Sequence, residues 1–326
     1  MKLLRGDDPN EPMPWDWHIS VVCQNEAARI AGCLTSIREA VGRRRALVTL
    51  NLNGSTDDSG VIAHRIARDC GLPLWIYRTQ AADKANALNQ FIHSLRVPAR
   101  MYVFVDGYVR ISPAALLGLE DCLASRPAAM AATGVAVNGR TMHLATQKTL
   151  EQGGVLHGQL HALRPEFLDR MVEQQIRLPI GTYSGDGLMG SMAAHNLDAM
   201  GRPWDNGRIV GVRQATYEIA ALSLFRPRDL QRQFRRKVRQ MRGKLQHQAM
   251  KAIIYRHGFA RLPPDADDLV RDHISEHGVS ATSIADRPFM ALALRQLRVA
   301  RKPDPADYVP RCVSLPEHQA DARLRA

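Results

Sequence analysis

Met101-Tyr102-Val103-Phe104-Val105-Asp106 is the most apolar strand-length run in the chain, and it ends on a carboxylate. A charge at that point must be solvated, hydrogen-bonded or metal-bound, because burying it alone costs several kcal/mol or more. Upstream, the apolar runs 18–23 and 46–52 end in the same way, on Gln24-Asn25-Glu26 and on Asn53-Gly54-Ser55-Thr56-Asp57. Downstream, Gly185-Asp186-Gly187 places an acid at the head of a helical stretch. Polar groups gathered at the ends of buried strands mark the ligand crevice of an open α/β sheet. Between them lie amphipathic segments: Ile30, Leu34 and Ile37 share one face of a helix after Asn25, and Val61, Ile62 and Ile66 do so after Asp57. The alternation predicts a doubly wound sheet covered by helices.

The pattern continues with a strand over 74–77, a helix over 84–95, a helix over 113–125 and a strand over 130–138. An irregular stretch runs through Gly153-Gly154. A strand over 155–164 then turns into a helix at Pro165-Glu166, since proline suits a first helical turn. A helix over 186–200 is expected to stop at Gly201. Residues 226–256 hold eleven Arg or Lys against the single acid Asp229, with helical spacing. Shorter helices over 267–277 and 288–301 follow, and the residues after Pro303 read as a tail.

The 326 residues suffice for a full α/β core, and 45% apolar with 23% charged residues is ordinary globular composition. A net charge of +12 predicts attraction to polyanions such as nucleoside diphosphates or anionic lipid. Five scattered cysteines without C-x-x-C spacing point to a reducing, cytoplasmic setting. The first residues carry Asp7, Asp8 and Glu11 with no apolar core, unlike a secretory signal. The longest stretch free of Asp, Glu, Lys and Arg, 127–139, is shorter than the roughly 18–20 residues of a membrane span, so membrane contact would be peripheral.

Residues 53–59 follow a strand and open a helix, so their N–H groups and the helix dipole suit a phosphate; the same residues also make an ordinary βα turn capped by Ser55 or Asp57. No Walker spacing and no G-x-G-x-x-G occurs. Asp186, at the head of its helix, can serve as a helix cap. His157 and His161, four apart on an expected strand, lie too far apart to chelate one ion readily, and His161 alone could approach a diphosphate. Of the four tryptophans, Trp15, Trp17 and Trp75 read as packing residues, and Trp204 lies in the loop 201–207 after the expected helix.

These segments, in this order, resemble the family 2 glycosyltransferases, the inverting sugar transferases of GT-A fold. Residues 18–26 are similar to that family's opening strand and Asn-Glu turn. Lys84-Ala85-Asn86-Ala87-Leu88-Asn89 is similar to its Gly-Lys-x-x-Ala-Leu-Asn helix, and residues 158–164 to its acceptor-side strand. Asp106-Gly107-Tyr108 matches the first position only of its Asp-x-Asp motif, Gly185-Asp186 keeps the second acid of an acidic pair, and Gln233 to Lys237 matches Gln-x-x-Arg-Trp with lysine for tryptophan. The resemblance spans about 19–243. It implies a GT-A type Rossmann-like, mostly parallel sheet with a helical basic C-terminal appendage: lead-in 1–16, catalytic domain 17–225, basic helical region 226–302, tail 303–326.

It further implies transfer of a hexosyl or N-acetylhexosaminyl group from a nucleotide diphosphate sugar, most simply a UDP-sugar, to an acceptor hydroxyl on a lipid or glycan. Asp186 is the implied general base. The donor falls to Gln24, Asn25, Glu26, Asn53, Ser55, Asp57, Lys84, Asn89, Asp106 and Gly107. The acceptor or diphosphate side falls to His161, Gly185, Trp204, Gln233, Arg236 and Arg239. Mg²⁺ or Mn²⁺ would bind at Asp106, but Tyr108 replaces the second acid and is a poor ligand for a hard cation. Leu52 replaces the acid that reads the base. Without a metal, the arginines of 226–256 would have to balance the diphosphate, or they would meet anionic lipid at the inner face of a membrane. Two alternatives are a degenerate nucleotide-sugar-binding relative without ordinary turnover and, from another class, a basic nucleic-acid-binding protein. Aromatic content of 6% and the absence of zinc-finger or RNP-like patterns disfavour nucleic acid as a partner.

Overall fold

Strand β1 (Trp15–Cys23) is buried along nearly its whole length, as are β2 (Ala46–Asn53) and β4 (Ala99–Asp106). Continuous apolar runs of this kind belong to parallel strands covered on both faces. The computed structural model describes residues 15–219, 227–279, 283–299 and 302–313. Parallel pairing joins β3 (Leu74–Thr79), β2, β1 and β4, with Val22 of β1 beside Asp106 of β4. Beyond β4 the sheet turns mixed. β7 (Leu160–Leu163) runs antiparallel to both β4 and β6 (Ala131–Ala136), and β8 (Ile209–Glu218) runs parallel to β6. Short antiparallel strands β5 (Arg110–Ile111) and β9 (Arg311–Cys312) close the edges. The order across the described residues is β5-β8-β6-β7-β4-β1-β2-β3-β9. Because β1 lies between β2 and β4, the chain crosses over in opposite directions from it, which opens a crevice at the strands' C-terminal ends.

The period of two splits β4 between two cores. Met101, Val103 and Val105 join Trp17, Ile19 and Val21 under helices α1 (Ile30–Val41), α2 (Ser59–Cys70) and α4 (Ala115–Ser125). Tyr102 and Phe104 face the other way, into a cluster with Phe91, Phe167, Met192, Met241, Leu245 and Met290. That second cluster draws on α3 (Lys84–Gln90), which continues as a π-helical turn, and on α6 (Pro165–Glu173) and α7 (Gly185–Ala194). It also draws on α8 (Pro227–His257), α9 (Ala266–His277) and α10 (Arg287–Val299).

Several elements differ from the sequence reading. The stretch expected to be irregular contains α5 (Arg140–Gln152). The strand expected over 155–164 is confined to β7, and β8 is a strand that the sequence pattern did not single out. Helix α7 stops at Ala194, not at residue 200. Leu197 N–H bonds the carbonyl of Met192 and Asn196 N–H that of Ala193, with φ of 68° and 52° at Leu197 and Asn196. This is a Schellman closure that uses Asn where glycine is commoner. Residues 311–312, expected in a tail, pair with β3, and the Asp307 carbonyl accepts from the N–H groups of Gln80 and Ala81. Residues 1–14 of the expected lead-in and 314–326 of the expected tail lie outside the described residues.

The basic helix α8 has a buried stripe at Val238, Met241, Leu245, Ala249, Met250 and Ile254, spaced three or four apart except for the adjacent pair 249 and 250. Its cations are in part committed: Lys237 and Lys244 both pair with Asp286, at 3.0 and 3.1 Å, and Arg242 pairs with Asp267 of α9. No helix of the described residues is long and apolar enough to cross a membrane.

Candidate active site

The first residue of α3 carries the lysine on which the crevice is built. Asp83 caps that helix by accepting from the N–H of Asn86 at 2.7 Å, and its second oxygen accepts from Gly181 N–H at 2.6 Å. Burial raises the Asp83 carboxyl above its ordinary range. Its own N–H donates to the Asn53 side chain at the end of β2, 2.8 Å away. Three segments distant in sequence thus aim Lys84 across the strand ends.

Lys84 Nζ donates to Asp106 Oδ1 at 2.5 Å and reaches the Gly158 carbonyl at 3.5 Å. Burial works against its charge, but Asp106 and Asp186 outweigh that effect and hold the ammonium above the usual lysine range. Asp106 Oδ2 accepts from the Tyr108 hydroxyl at 3.0 Å, and the Arg29 guanidinium lies 5.6 Å from the Tyr108 ring centre. Asp186 stands in the first turn of α7, with Ser184 Oγ donating to its Oδ1 at 3.3 Å. Its other oxygen lies 2.8 Å from where a Cβ on Gly158 would be, so only glycine leaves it room. Lys84 is therefore bonded to the carboxylate of β4 and reaches the Gly158 carbonyl, whose residue packs against the Asp186 carboxylate of α7.

Two neighbours were not identified from sequence. The Tyr217 hydroxyl of β8 donates to Gln159 Oε1 at 3.4 Å. Burial, reinforced by Asp106, pushes the Tyr108 and Tyr217 phenols well up, so both stay protonated donors. Over residues 215–218 buried Ala215 and Tyr217 alternate with the more open Thr216 and Glu218, a short signal that could have placed Tyr217.

The two donor-side turns hold each other. Asn25, at φ 55°, accepts from Thr56 N–H at 2.9 Å, and Ser55 Oγ donates to the Cys23 carbonyl while accepting from Asn25 N–H. Asp57 accepts from Ala27 N–H and Ser59 Oγ. Burial opposes its charge, yet these donors hold the carboxyl below the usual range. Glu26 is buried and paired with Arg29 at 2.6 Å, whereas Gln24 is exposed. Gly107 N–H ties β4 to the Val22 carbonyl. Asn89 lies apart from this group: its amide clamps the N–H and carbonyl of Leu178. Leu52 is fully buried against Gly60, so its side chain does not enter the crevice.

His161 stacks on Phe104 with centroids 4.9 Å apart, and its Nδ1 donates to the His157 carbonyl at 3.1 Å. His157 Nε2 meets Thr149 Oγ1 at 2.8 Å. Burial drives His161 down to about 3, and does the same to His18, while His93 falls to about 4. All three are neutral in the folded protein, and in the unfolded chain they titrate near about 6.5. Between that value and the folded ones the unfolded chain binds the additional protons. Stability is therefore expected to be flat with respect to these groups above about pH 6.5 and to fall as pH drops through the window towards 3. Thermal midpoints measured from about pH 7 down to about pH 4.5 should decline steadily, and a constant midpoint contradicts the assignment.

No protein-family model matches the chain, and no curated protein matches it. Solved structures do. A mannosyltransferase from Pyrobaculum calidifontis, in complex with GDP-Man and Mn²⁺, is 21% identical, with 90% of this chain and 80% of that chain covered and a TM-score of 0.56. Residues 1–349 of TarS from S. aureus are 15% identical, covering 86% of this chain and 80% of that chain at a TM-score of 0.52. The same TarS segment in complex with UDP gives 16% identity, 86% and 80% coverage, and 0.52. The fold is of the GT-A type.

In a GT-A fold the expected metal site is the acid at the end of β4. Asp106 is the sole acid there, since Tyr108 occupies the place of a second, and both Asp106 oxygens already accept from protein donors. No group of three or more His, Cys, Asp or Glu that could hold a metal gathers among the described residues. A Mg²⁺-type cation keeps waters and substrate phosphates in its shell and is held by one or two protein carboxylates, of which these strand ends supply Asp106 alone, already bonded to an ammonium and a phenol. The residues present do not fit a divalent ion.

On the acceptor side, Gly185 opens α7, and a cavity of about 340 Å³ lies between α7 and α8. Ser184, Gly187, Leu188, Trp204, Met250 and Tyr255 are among its walls. Trp204 is exposed, with its Nε1 donating to Asn206 at 2.7 Å and its ring edge-on to His195. Arg239 lies 5.9 Å from the Tyr183 ring, beside the loop that leads to Asp186, and Arg236 is exposed further along the helix. The Gln233 side chain lies outside the described residues.

Proposed function

We propose that the chain is an inverting family 2 glycosyltransferase that moves a sugar from a nucleoside diphosphate sugar to an acceptor hydroxyl. The observation that carries this reading is the cluster at the C-terminal ends of the strands in which Lys84 bonds Asp106 and reaches Gly158, against which Asp186 packs. One acid and its lysine stand at the donor-side strand ends, and the other acid lies in the chain between Ser184 and Gly187, which both line the cavity between α7 and α8.

In the reaction, an acceptor oxygen bonds to the anomeric carbon as the bond from that carbon to the diphosphate oxygen breaks on the opposite face. Asp186 takes the acceptor proton. Ser184 links this carboxylate to the cavity, since its hydroxyl donates to Asp186 and the residue is part of that wall. Trp204 offers an apolar face there for the acceptor body. The donor is a UDP-sugar carrying a hexose or N-acetylhexosamine, and the acceptor is a lipid or glycan alcohol. The chain works in the cytoplasm, and the exposed cations of α8 give it peripheral contact with an anionic membrane.

Thermal unfolding against UDP, GDP and their sugars tests this. A ligand at about 100 times its Kd adds about 2.7 kcal/mol to the folded state, and the midpoint should rise measurably. A panel in which no nucleotide or nucleotide sugar moves the midpoint overturns the reading.

A further inference from the structure

We infer that this chain handles its leaving diphosphate without a divalent metal, the Lys84 ammonium standing where the metal's charge would be. This rests on the glycosyltransferase reading above. Departure of a nucleoside diphosphate leaves negative charge on its terminal phosphate, and a fixed positive charge at that exit stabilises the transition state.

Three features of the strand ends place Lys84 in that position. The first is the loss of the ligand set: Tyr108 stands where a second carboxylate would complete a metal pair, and its hydroxyl donates to Asp106 Oδ2. The second is occupation of the remaining oxygen by a cation. A dication at Asp106 Oδ1 would compete with the Lys84 ammonium, 2.5 Å from that atom, and the two like charges on one carboxylate would repel. The third is spare capacity. An ammonium has three N–H donors. One goes to Asp106 and a second reaches the Gly158 carbonyl at 3.5 Å, which leaves one for a phosphate oxygen. The Lys84 side chain keeps 38% of its surface exposed, so the crevice has access to it.

The charge is also secure. Asp106 and Asp186 favour the ammonium, and Arg29 anchors Tyr108 through its ring. The basic helix is a poorer source of the compensating charge than its composition suggests, because Arg242, Lys237 and Lys244 are paired with Asp267 and Asp286. Lys84 is held on the crevice floor by the Asp83 cap, while those cations are spent on joining α8 to the helices after it.

Calorimetric titration of the full chain with UDP and with GDP, in EDTA and in millimolar MnCl₂, decides the matter. One nucleotide is expected to bind with Kd values that agree within about threefold between the two conditions. Lys84→Met should weaken that binding by about 10- to 100-fold, the range for losing a charge-assisted hydrogen bond, and Lys84→Arg should retain EDTA-resistant binding. Tyr108→Asp, which rebuilds an acid pair, should gain a Mn²⁺-dependent increment that the natural chain lacks. If Lys84→Met does not fold, the comparison of EDTA with MnCl₂ on the natural chain stands by itself. Binding that vanishes in EDTA and returns with MnCl₂ overturns the metal-free inference while leaving the glycosyltransferase reading intact. Binding of neither nucleotide in either condition removes the functional reading, and the inference with it.

Discussion

Asp186→Asn is expected to lower kcat by about 10²- to 10⁴-fold, the usual contribution of a positioned general base, while nucleotide affinity and thermal midpoint stay close to those of the natural chain. The amide keeps the shape of the carboxylate and can still accept from Ser184, but it cannot take the acceptor proton. Gly158→Ala reaches the same group from the opposite side. Its new methyl would lie 2.8 Å from Asp186 Oδ2 and 3.1 Å from Cγ, so the carboxylate must shift away from the β7 side of the crevice. A shift of about 1 Å in a reacting group can cost about 10²-fold. The two variants together separate chemistry from position: both should lose turnover, and both should still bind nucleotide. If turnover by Asp186→Asn equals that of the natural chain, Asp186 is not the base.

Leu245→Ala is expected to destabilise the whole chain by about 2–5 kcal/mol, the range for truncating a buried leucine. Leu245 is 3% exposed and shares its apolar cluster with Phe104 of the central sheet and Met192 of α7. The loss should therefore appear as a lower midpoint of one cooperative transition, measured by calorimetry. A separate transition confined to the helical content would instead make residues 226–302 a unit of their own. The outcome bears on the site as well, because Gln246, next along α8, accepts from Tyr183 N–H and donates to the Gly181 carbonyl. Those contacts set the loop that carries Ser184 and Asp186.

Much of this molecule is local in origin. The strands 15–23, 46–53 and 99–106 announce themselves because a parallel strand buried on both faces must be apolar at every position. A carboxylate at the end of such a run can only be solvated or bound, so Asp106 was legible as a site residue from its position alone. The basic helix was legible as a helix, but its charge obscured the buried stripe from Val238 to Ile254, which becomes evident only with the helix packed. The strands β8 and β9 left weaker traces. Edge and mixed strands are stabilised by backbone hydrogen bonds to partners far along the chain, and those bonds do not depend on a distinctive side-chain pattern.

What the sequence by itself determined is the α/β alternation, the parallel half of the sheet, and the polar strand ends at Asn25, Asn53 and Asp106. Each follows from side-chain periodicity within about ten residues. Which of those polar groups meet follows from the packing of distant segments. Asn25, Ser55 and Asp57 hold the two turns together, Asn89 clamps Leu178, and Lys84 reaches across to Asp106 and to Gly158, against which Asp186 packs. Such pairings join residues 22 to 89 positions apart. They depend on crossover directions and helix packing, which no local window of sequence contains.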